Sequence, residues 1–311
     1  MRRSDRDVAD SVQTTDPAAV GAEVIRLAKR LFPNASAPAL ERAFADAARM
    51  YRGEHRDYLP CDTEYHDIQH VLDVTLAMAR LMDGYQRGER NGSPELSKEL
   101  FLAGALAALF HDFGYLRRRN DHKHRYGAEY TLTHVSRGAC FLRGYARDLG
   151  VGERLAQAAS TLVHFTGYER PVESIRMSDE ALRRLGLMLG TADIIAQMSD
   201  RCYLEKCRDR LYPEFVLGRI PAFASGEDLV RKTPRFYEGA CKRLDETLGR
   251  SYDYAARHFG GPNLYLDAMR KNIDYAQSIS QAGEVAPPLR RNPPKTLPPD
   301  VEPYPKGLIG S

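Results

Sequence analysis

The sequence has no apolar run long enough to cross a bilayer. The longest, Leu100 to Phe110, is about half of the ~20 residues a spanning helix needs, so it reads as a buried helix. There is no excess of either charge: 45 basic against 42 acidic residues leave a formal net charge of +3, and no global field calls for nucleic acid or an anionic membrane. A Cys-x-x-Cys pair is also missing. The cysteines, Cys61, Cys140, Cys202, Cys207 and Cys241, are scattered and odd in number, which fits reduced thiols rather than a zinc ribbon or a disulfide framework. The opening MRRSDRDVADSVQTTD carries no apolar stretch behind its basic residues, so it does not read as a secretory signal. The expectation is a cytoplasmic protein whose partner is a small molecule, with neither nucleic acid nor membrane.

Alternating strand patterns and internal repeats are almost absent too. What is present is helical periodicity, over 18–31, 37–52, 66–83, 97–112, 126–147, 151–165, 178–197, 199–210, 226–232, 235–258 and 262–281. Ser93-Pro94 can start the helix that enters Leu100, Gly150 to Gly152 separates two helices, and Gly260-Gly261-Pro262 separates the last pair. With 311 residues, 43% of them hydrophobic, the chain can bury a sizeable core. Helix after helix with short connections predicts a compact all-α domain over residues 18–285. Residues 1–17 are polar and read as a flexible tail. Residues 286–311 hold eight prolines and read as an extended tail, either plain solvated peptide or a proline-rich ligand for a partner.

Three places in the helical part carry side chains that need a chemical reason. In EYHDIQHVLDV, His66 and His70 stand four apart, one turn on a common helix face that Asp73 shares. His111-Asp112 closes the apolar run LFLAGALAALF; an unpaired imidazole and carboxylate there cost several kcal/mol unless a cation or water meets them. Adjacent ligands suit two ions, because the carboxylate can bridge while the histidine binds one. Asp193 is a carboxylate inside the apolar stretch LGLMLGTADIIAQM, with Gln197 one turn along the same face. His134 and His164 also have apolar neighbours, and by themselves read as hydrogen-bonded core histidines. Beyond Asp112, LRRRNDHKHRYG packs Arg117, Arg118, Arg119, Lys123 and Arg125 together, either a phosphate attractor at the site entrance or a solvated basic loop; His122 and His124 within it read as exposed. Phe236 and Tyr237 read as core, with stacking on a base as the alternative.

The order His, His-Asp, His, His, Asp on successive helices resembles the HD superfamily of metal-dependent phosphohydrolases, with His70, His111, Asp112 and Asp193 as its signature residues. YHDIQHVLDV resembles the cyclic-nucleotide phosphodiesterase motif Tyr-His-Asn-x-x-His-Ala-x-Asp-Val, keeping Tyr65, His66, His70, Asp73 and Val74 and changing two residues to Asp67 and Val71. The resemblance covers about 65–210. It departs at Tyr115, where those enzymes carry a further histidine, while Asn120 falls where their asparagine does. Their purine-clamping glutamine has no counterpart, so specificity for cyclic nucleotides does not carry over.

The resemblance implies an HD-type helical bundle that hydrolyses a phosphoester, most simply a phosphodiester of a nucleotide-like small molecule. It implies divalent ions, two by expectation, drawn from Fe, Mn, Zn, Co, Ni or Mg. Metal ligands would be His70, His111, Asp112, Asp193 and, for the second ion, His134 and His164. A hydroxide bridging the ions beside Asp112 would attack phosphorus, and His66 would protonate the leaving oxygen. Arg117, Arg118, Lys123 and Gln197 are the candidates for holding substrate. Two other readings stand beside this one: a phosphomonoesterase or nucleotidase on the same site, and a degenerate HD domain that senses a nucleotide.

Overall fold

The apolar stretches fold as helices, and their polar flanks supply the caps. A computed structural model describes residues 3–33, 37–88, 94–282 and 288–304, and among them every regular element is helical. The α-helices are α1 Pro17–Leu31, α2 Pro38–Tyr51, α3 Ile68–Arg87, α4 Lys98–Phe110, α5 His134–Asp148, α6 Glu153–Leu162, α7 Glu180–Ser199, α8 Tyr203–Lys206, α9 Tyr212–Leu217, α10 Gly226–Lys242, α11 Asp253–Phe259 and α12 Leu264–Gln281. Helix α3 packs against α1, α4, α7 and α11, which places it at the centre. Both α3 and α4 are buried around most of their circumference, as their apolar sequence demands. At Gly104 a Cβ would run into the Met82 Sδ and Met78 Cε of α3, so glycine lets α4 come that close. None of the described helices is long and apolar enough to cross a membrane.

Several helix ends differ from the periodic pattern, each for a local reason. Helix α3 starts at Ile68 rather than 66, because the Asp67 carboxylate caps it by accepting the His70 N–H at 2.9 Å. Helix α4 is capped by Ser97, whose Oγ accepts from the Leu100 N–H at 3.2 Å; of the expected Ser93-Pro94 start, Ser93 lies outside the described residues. The stretch 226–242 is one helix that passes through Pro234 instead of breaking there. What does break the chain is Gly249-Arg250, both at positive φ, which separates α11 from the helical stretch before it. Between α8 and α9 the helix continues as a π-turn over Cys207–Leu211.

The two ends of the chain lie on the body. Residues 3–16, expected to be a flexible tail, fold as turns on α3. Asp7 is buried there, accepts from the Val12 N–H at 2.6 Å and pairs with Arg80 at 2.5 Å. A buried guanidinium needs a carboxylate, and Arg80 sits within α3's apolar run, where periodicity does not announce it. Residues 288–304 have no helix, as their prolines require. They are nonetheless tied down: Tyr275 donates to the Pro288 carbonyl at 2.9 Å, Arg210 to that of Pro294 at 2.6 Å, and Thr296 to the Asp67 carboxylate.

Candidate metal centre

Four of the expected ligands converge where α3, the end of α4 and the middle of α7 meet. His70 lies one turn into α3, His111 ends α4, Asp112 opens a single 3₁₀ turn over Phe113–Tyr115, and Asp193 is in α7. One ligand atom each from His70, His111 and Asp193 falls within 4.8 Å of the others. The two Nε2 atoms are 3.3 Å apart. Asp112 Oδ2 stands 3.1 Å from that of His70 and 3.2 Å from that of His111, and Asp193 Oδ1 is 3.5 and 3.8 Å from the same pair. Asp112 Oδ2 is fully buried, and among the described residues no well-formed hydrogen bond meets it beyond these imidazole contacts.

The histidines are oriented from behind. His111 Nδ1 donates to the Ala108 carbonyl at 2.8 Å, and His134 Nδ1 to that of Thr131 at 2.6 Å. Each Nε2 lone pair is thereby turned toward the carboxylates, the arrangement that metal-binding imidazoles need. His134 opens α5 instead of sitting inside a helix over 126–147, and its Nε2 is 3.5 Å from Asp112 Oδ1, the oxygen away from His70. Asp112 therefore offers one oxygen to the His70–His111 pair and the other to His134. His164 is on the 3₁₀ turn after α6, where its Nδ1 meets Glu169 Oε1 at 3.3 Å; among the described residues no hydrogen bond or ion pair joins it to the cluster.

Electrostatics point the same way. Burial by itself would lower the His70 imidazole, but Asp112 and Asp193 outweigh it and lift it to about 10. Burial would likewise raise the Asp112 carboxyl, yet His111 and His70 hold it well below the usual range. With two carboxylates facing it, the pocket demands positive charge, and without a cation a proton on His70 meets that demand. His134, half-buried, is shifted down by desolvation, which Asp112 offsets only in part. Asp73, expected on the face of His70, lines a small cavity with it and with Asp200 and Lys206; burial and Asp200 push its carboxyl up to about 8.

His66 precedes the cap of α3, so it is not on a shared helical turn with His70, though the ring centroids are still 5.7 Å apart. Its Nδ1 is 2.5 Å from Oε2 of Glu214, a carboxylate with no solvent exposure in α9. The Tyr115 ring lies 4.4 Å from the His66 imidazole and 4.3 Å from that of His134, nearly parallel to both. The two imidazole centroids are themselves 6.2 Å apart, so the three rings form one cluster. Tyr65 donates its hydroxyl to Gln197 Oε1 at 3.0 Å and its N–H to Glu214 Oε1 at 2.7 Å.

The basic loop behaves differently. Arg117 is committed to Asp62 at 3.1 Å and to the His124 carbonyl, so it closes the loop. Arg118 is exposed and lies over Tyr58, lining a separate cleft with Arg49 and Phe141, and Lys123 is exposed. Phe236 is 46% exposed, not core. Glu214 was not identifiable from sequence spacing: it is 148 residues from His66, in a segment with no motif. In sequence Lys206, Arg210 and Glu214 are simply charged residues four apart; their burial is visible in the structure alone.

An all-helical body with an inward-facing His/Asp cluster is thus the class that fold and site define. Within it, a family described as Npun_R2479-like matches residues 54–249, well over half of the chain, and the chain belongs to that family. The matched stretch contains every residue of the cluster, His66 and Glu214. No curated protein matches the sequence.

Proposed function

We propose that this protein is a metal-dependent phosphohydrolase of the HD type that its motifs resemble, acting on a phosphodiester of a nucleotide-like small molecule. The observation that carries the reading is the crowding of two carboxylates on one imidazole pair: the buried Asp112 Oδ2 is wedged between the His70 and His111 Nε2 atoms, and Asp193 Oδ1 approaches the same two nitrogens. Burying two carboxylates around one imidazole pair is costly unless positive charge meets them, and a divalent cation supplies it. His70, His111, Asp112 and Asp193 would hold one ion, and Asp112 with His134 the edge of a second position. Such ions supply a Lewis acid for phosphoryl oxygens and an activated water.

The chain's own part is to hold the substrate's phosphorus near that cluster and to protonate the leaving oxygen. His66 suits the protonation step, because Glu214 takes its Nδ1–H and leaves Nε2 to exchange a proton with substrate. The five cysteines, all free thiols, fit a reducing compartment such as the cytoplasm. The test is metal analysis of the purified protein together with turnover of a nitrophenyl phosphodiester before and after chelation. Stoichiometric metal with chelation-sensitive turnover supports the reading. Metal-free protein with no turnover on added Mn²⁺, Fe²⁺, Zn²⁺, Co²⁺, Ni²⁺ or Mg²⁺ would overturn it, and release of inorganic phosphate from monoesters alone would favour a phosphomonoesterase.

A further inference from the structure

Glu214 does not meet His66 alone. Its Oε1 accepts two hydrogen bonds, the Tyr65 N–H at 2.7 Å and the hydroxyl of Tyr304 at 3.0 Å, which leaves Oε2 for His66 Nδ1 at 2.5 Å. The Tyr304 oxygen in turn accepts the Glu64 N–H at 3.3 Å, so its hydroxyl hydrogen is directed at the carboxylate. Burial, with the charge of Glu214 added, raises this phenol well above its ordinary value, and it stays a donor through the neutral range. The ring is packed edge-on at 5.9 Å from Tyr126. Tyr304 lies outside the stretch the family shares, at the far end of the proline-rich segment that Arg210 and Asp67 tie down.

A buried carboxylate with two acceptor oxygens can rotate and offer either to an imidazole. With both donors on Oε1, that freedom is lost and the Glu214 plane is fixed. We infer that Tyr304 is a positioning residue for the proton-donating histidine: through Glu214 it fixes the tautomer and orientation of His66, so that the C-terminal segment completes the acid half of the site. This rests on the phosphohydrolase reading for its kinetic consequence, and on geometry alone for its effect on His66.

The test uses the full chain and Tyr304→Phe, which keeps the ring and removes only the hydroxyl, so the melting temperature should stay near that of the wild type. With a dinucleotide substrate, whose leaving group is a sugar alkoxide, kcat should fall about three- to tenfold with KM unchanged, the range expected for one hydrogen bond. With a nitrophenyl phosphodiester, which needs little protonation, the loss should nearly vanish. In a His66→Ala background, Tyr304→Phe should add nothing. An equal loss on both substrates, or a full additional loss in the His66→Ala background, would overturn the role.

A second readout does not depend on turnover. In ¹⁵N-labelled protein the His66 Nδ1–H proton, assigned by its disappearance in His66→Ala, should shift and exchange faster with water in Tyr304→Phe. An unchanged resonance sinks the inference. If the wild type hydrolyses neither substrate while that resonance responds, the phosphohydrolase reading fails and the positioning role of Tyr304 stands.

Discussion

The two halves of the candidate site are built from different kinds of chain. On the cation side, His70, His111 and Asp193 hang from α3, α4 and α7, long helices buried on nearly every face, with Asp112 directly after α4. Their positions are set by close-packed core, where a side chain has little room to move. On the proton side, His66 is in a loop, its partner Glu214 is in the six-residue α9, and Tyr304 comes from an extended segment without helix. Here position is set by hydrogen bonds between distant pieces of sequence. The first arrangement resists substitution around it and fails when a ligand itself is lost; the second can be loosened in steps.

The largest effect should come from the cation side. Asp112→Ala is expected to strip metal and abolish hydrolysis, because its two oxygens face different histidines. The metal-free variant should melt below metal-free wild type, since the proton-bearing His70 is left buried with Asp193 as its remaining carboxylate among the described residues. Retention of full metal content with normal turnover would refute the site. On the proton side, His66→Ala should lower turnover ~10²–10⁴-fold while leaving metal bound, with a smaller loss on nitrophenolate esters. Glu214→Gln should lie between wild type and that variant, about 10–100-fold down, as for other partners that orient a functional imidazole. A larger loss in Glu214→Gln than in His66→Ala would show that Glu214 acts through something other than His66.

His134 and His164 sharpen the comparison, because the geometry separates two residues that the motif order treats alike. His134 Nε2 reaches Asp112, whereas His164 is engaged by Glu169. If a second ion is bound, His134→Ala should lower metal content from two equivalents toward one, and His164→Ala should have the smaller effect on metal. Equal loss in both would mean that His164 turns from Glu169 to the cluster when metal is present. A neighbouring glycine gives an independent check. A Cβ at Gly114 would fall well inside contact distance of the His134 carbonyl oxygen, so Gly114→Ala should displace the start of α5 and reproduce the His134→Ala metal loss.

How much of this was legible in the sequence follows the same division. Helical period located α3, α4 and α7, and polar residues within apolar runs marked His111-Asp112 and Asp193, because both signals are local; the grouping of His70 with them came from the resemblance to the HD motif order. The ends of helices were less legible: Asp67 looks like a helix residue by period, but its short carboxylate caps, and that moves His66 off the helix. The pairing of His66 with Glu214, and of Glu214 with Tyr304, spans 148 and 90 positions, and no periodicity encodes such contacts. A cluster of arginines is equally ambiguous in one dimension. In three, Arg117 serves Asp62, and Arg118 faces another cleft.

The smallest expected effect on turnover belongs to the N-terminal turns, which bond to Gln69 and Arg80 of α3 and, among the described residues, make no hydrogen bond or ion pair to His66, Glu214 or Tyr304. Asp7 is the test, since it is 4% exposed and its partner Arg80 is 2% exposed. Burial would raise the Asp7 carboxyl, but the Arg80 guanidinium and the Val12 N–H outweigh it and hold it below its ordinary value of 3.8. A carboxyl lowered on folding stabilises the folded state above the unfolded value, and that contribution disappears as pH falls through the folded one. The wild type should therefore lose stability steeply below about pH 4. Asp7→Asn should be less stable at pH 7 by about 3–5 kcal/mol, because Arg80 is left buried without its counter-charge, and the gap to wild type should narrow in acid. Turnover per folded molecule should remain within about twofold, the ordinary range for a change far from the chemistry. Melting curves from pH 3 to 7 and kcat at a temperature where both proteins are folded decide it. A stability gap that stays constant with pH would show that Asp7 acts as packing rather than as charge, and a large fall in kcat would show that the N-terminal turns, like the C-terminal segment, reach the site.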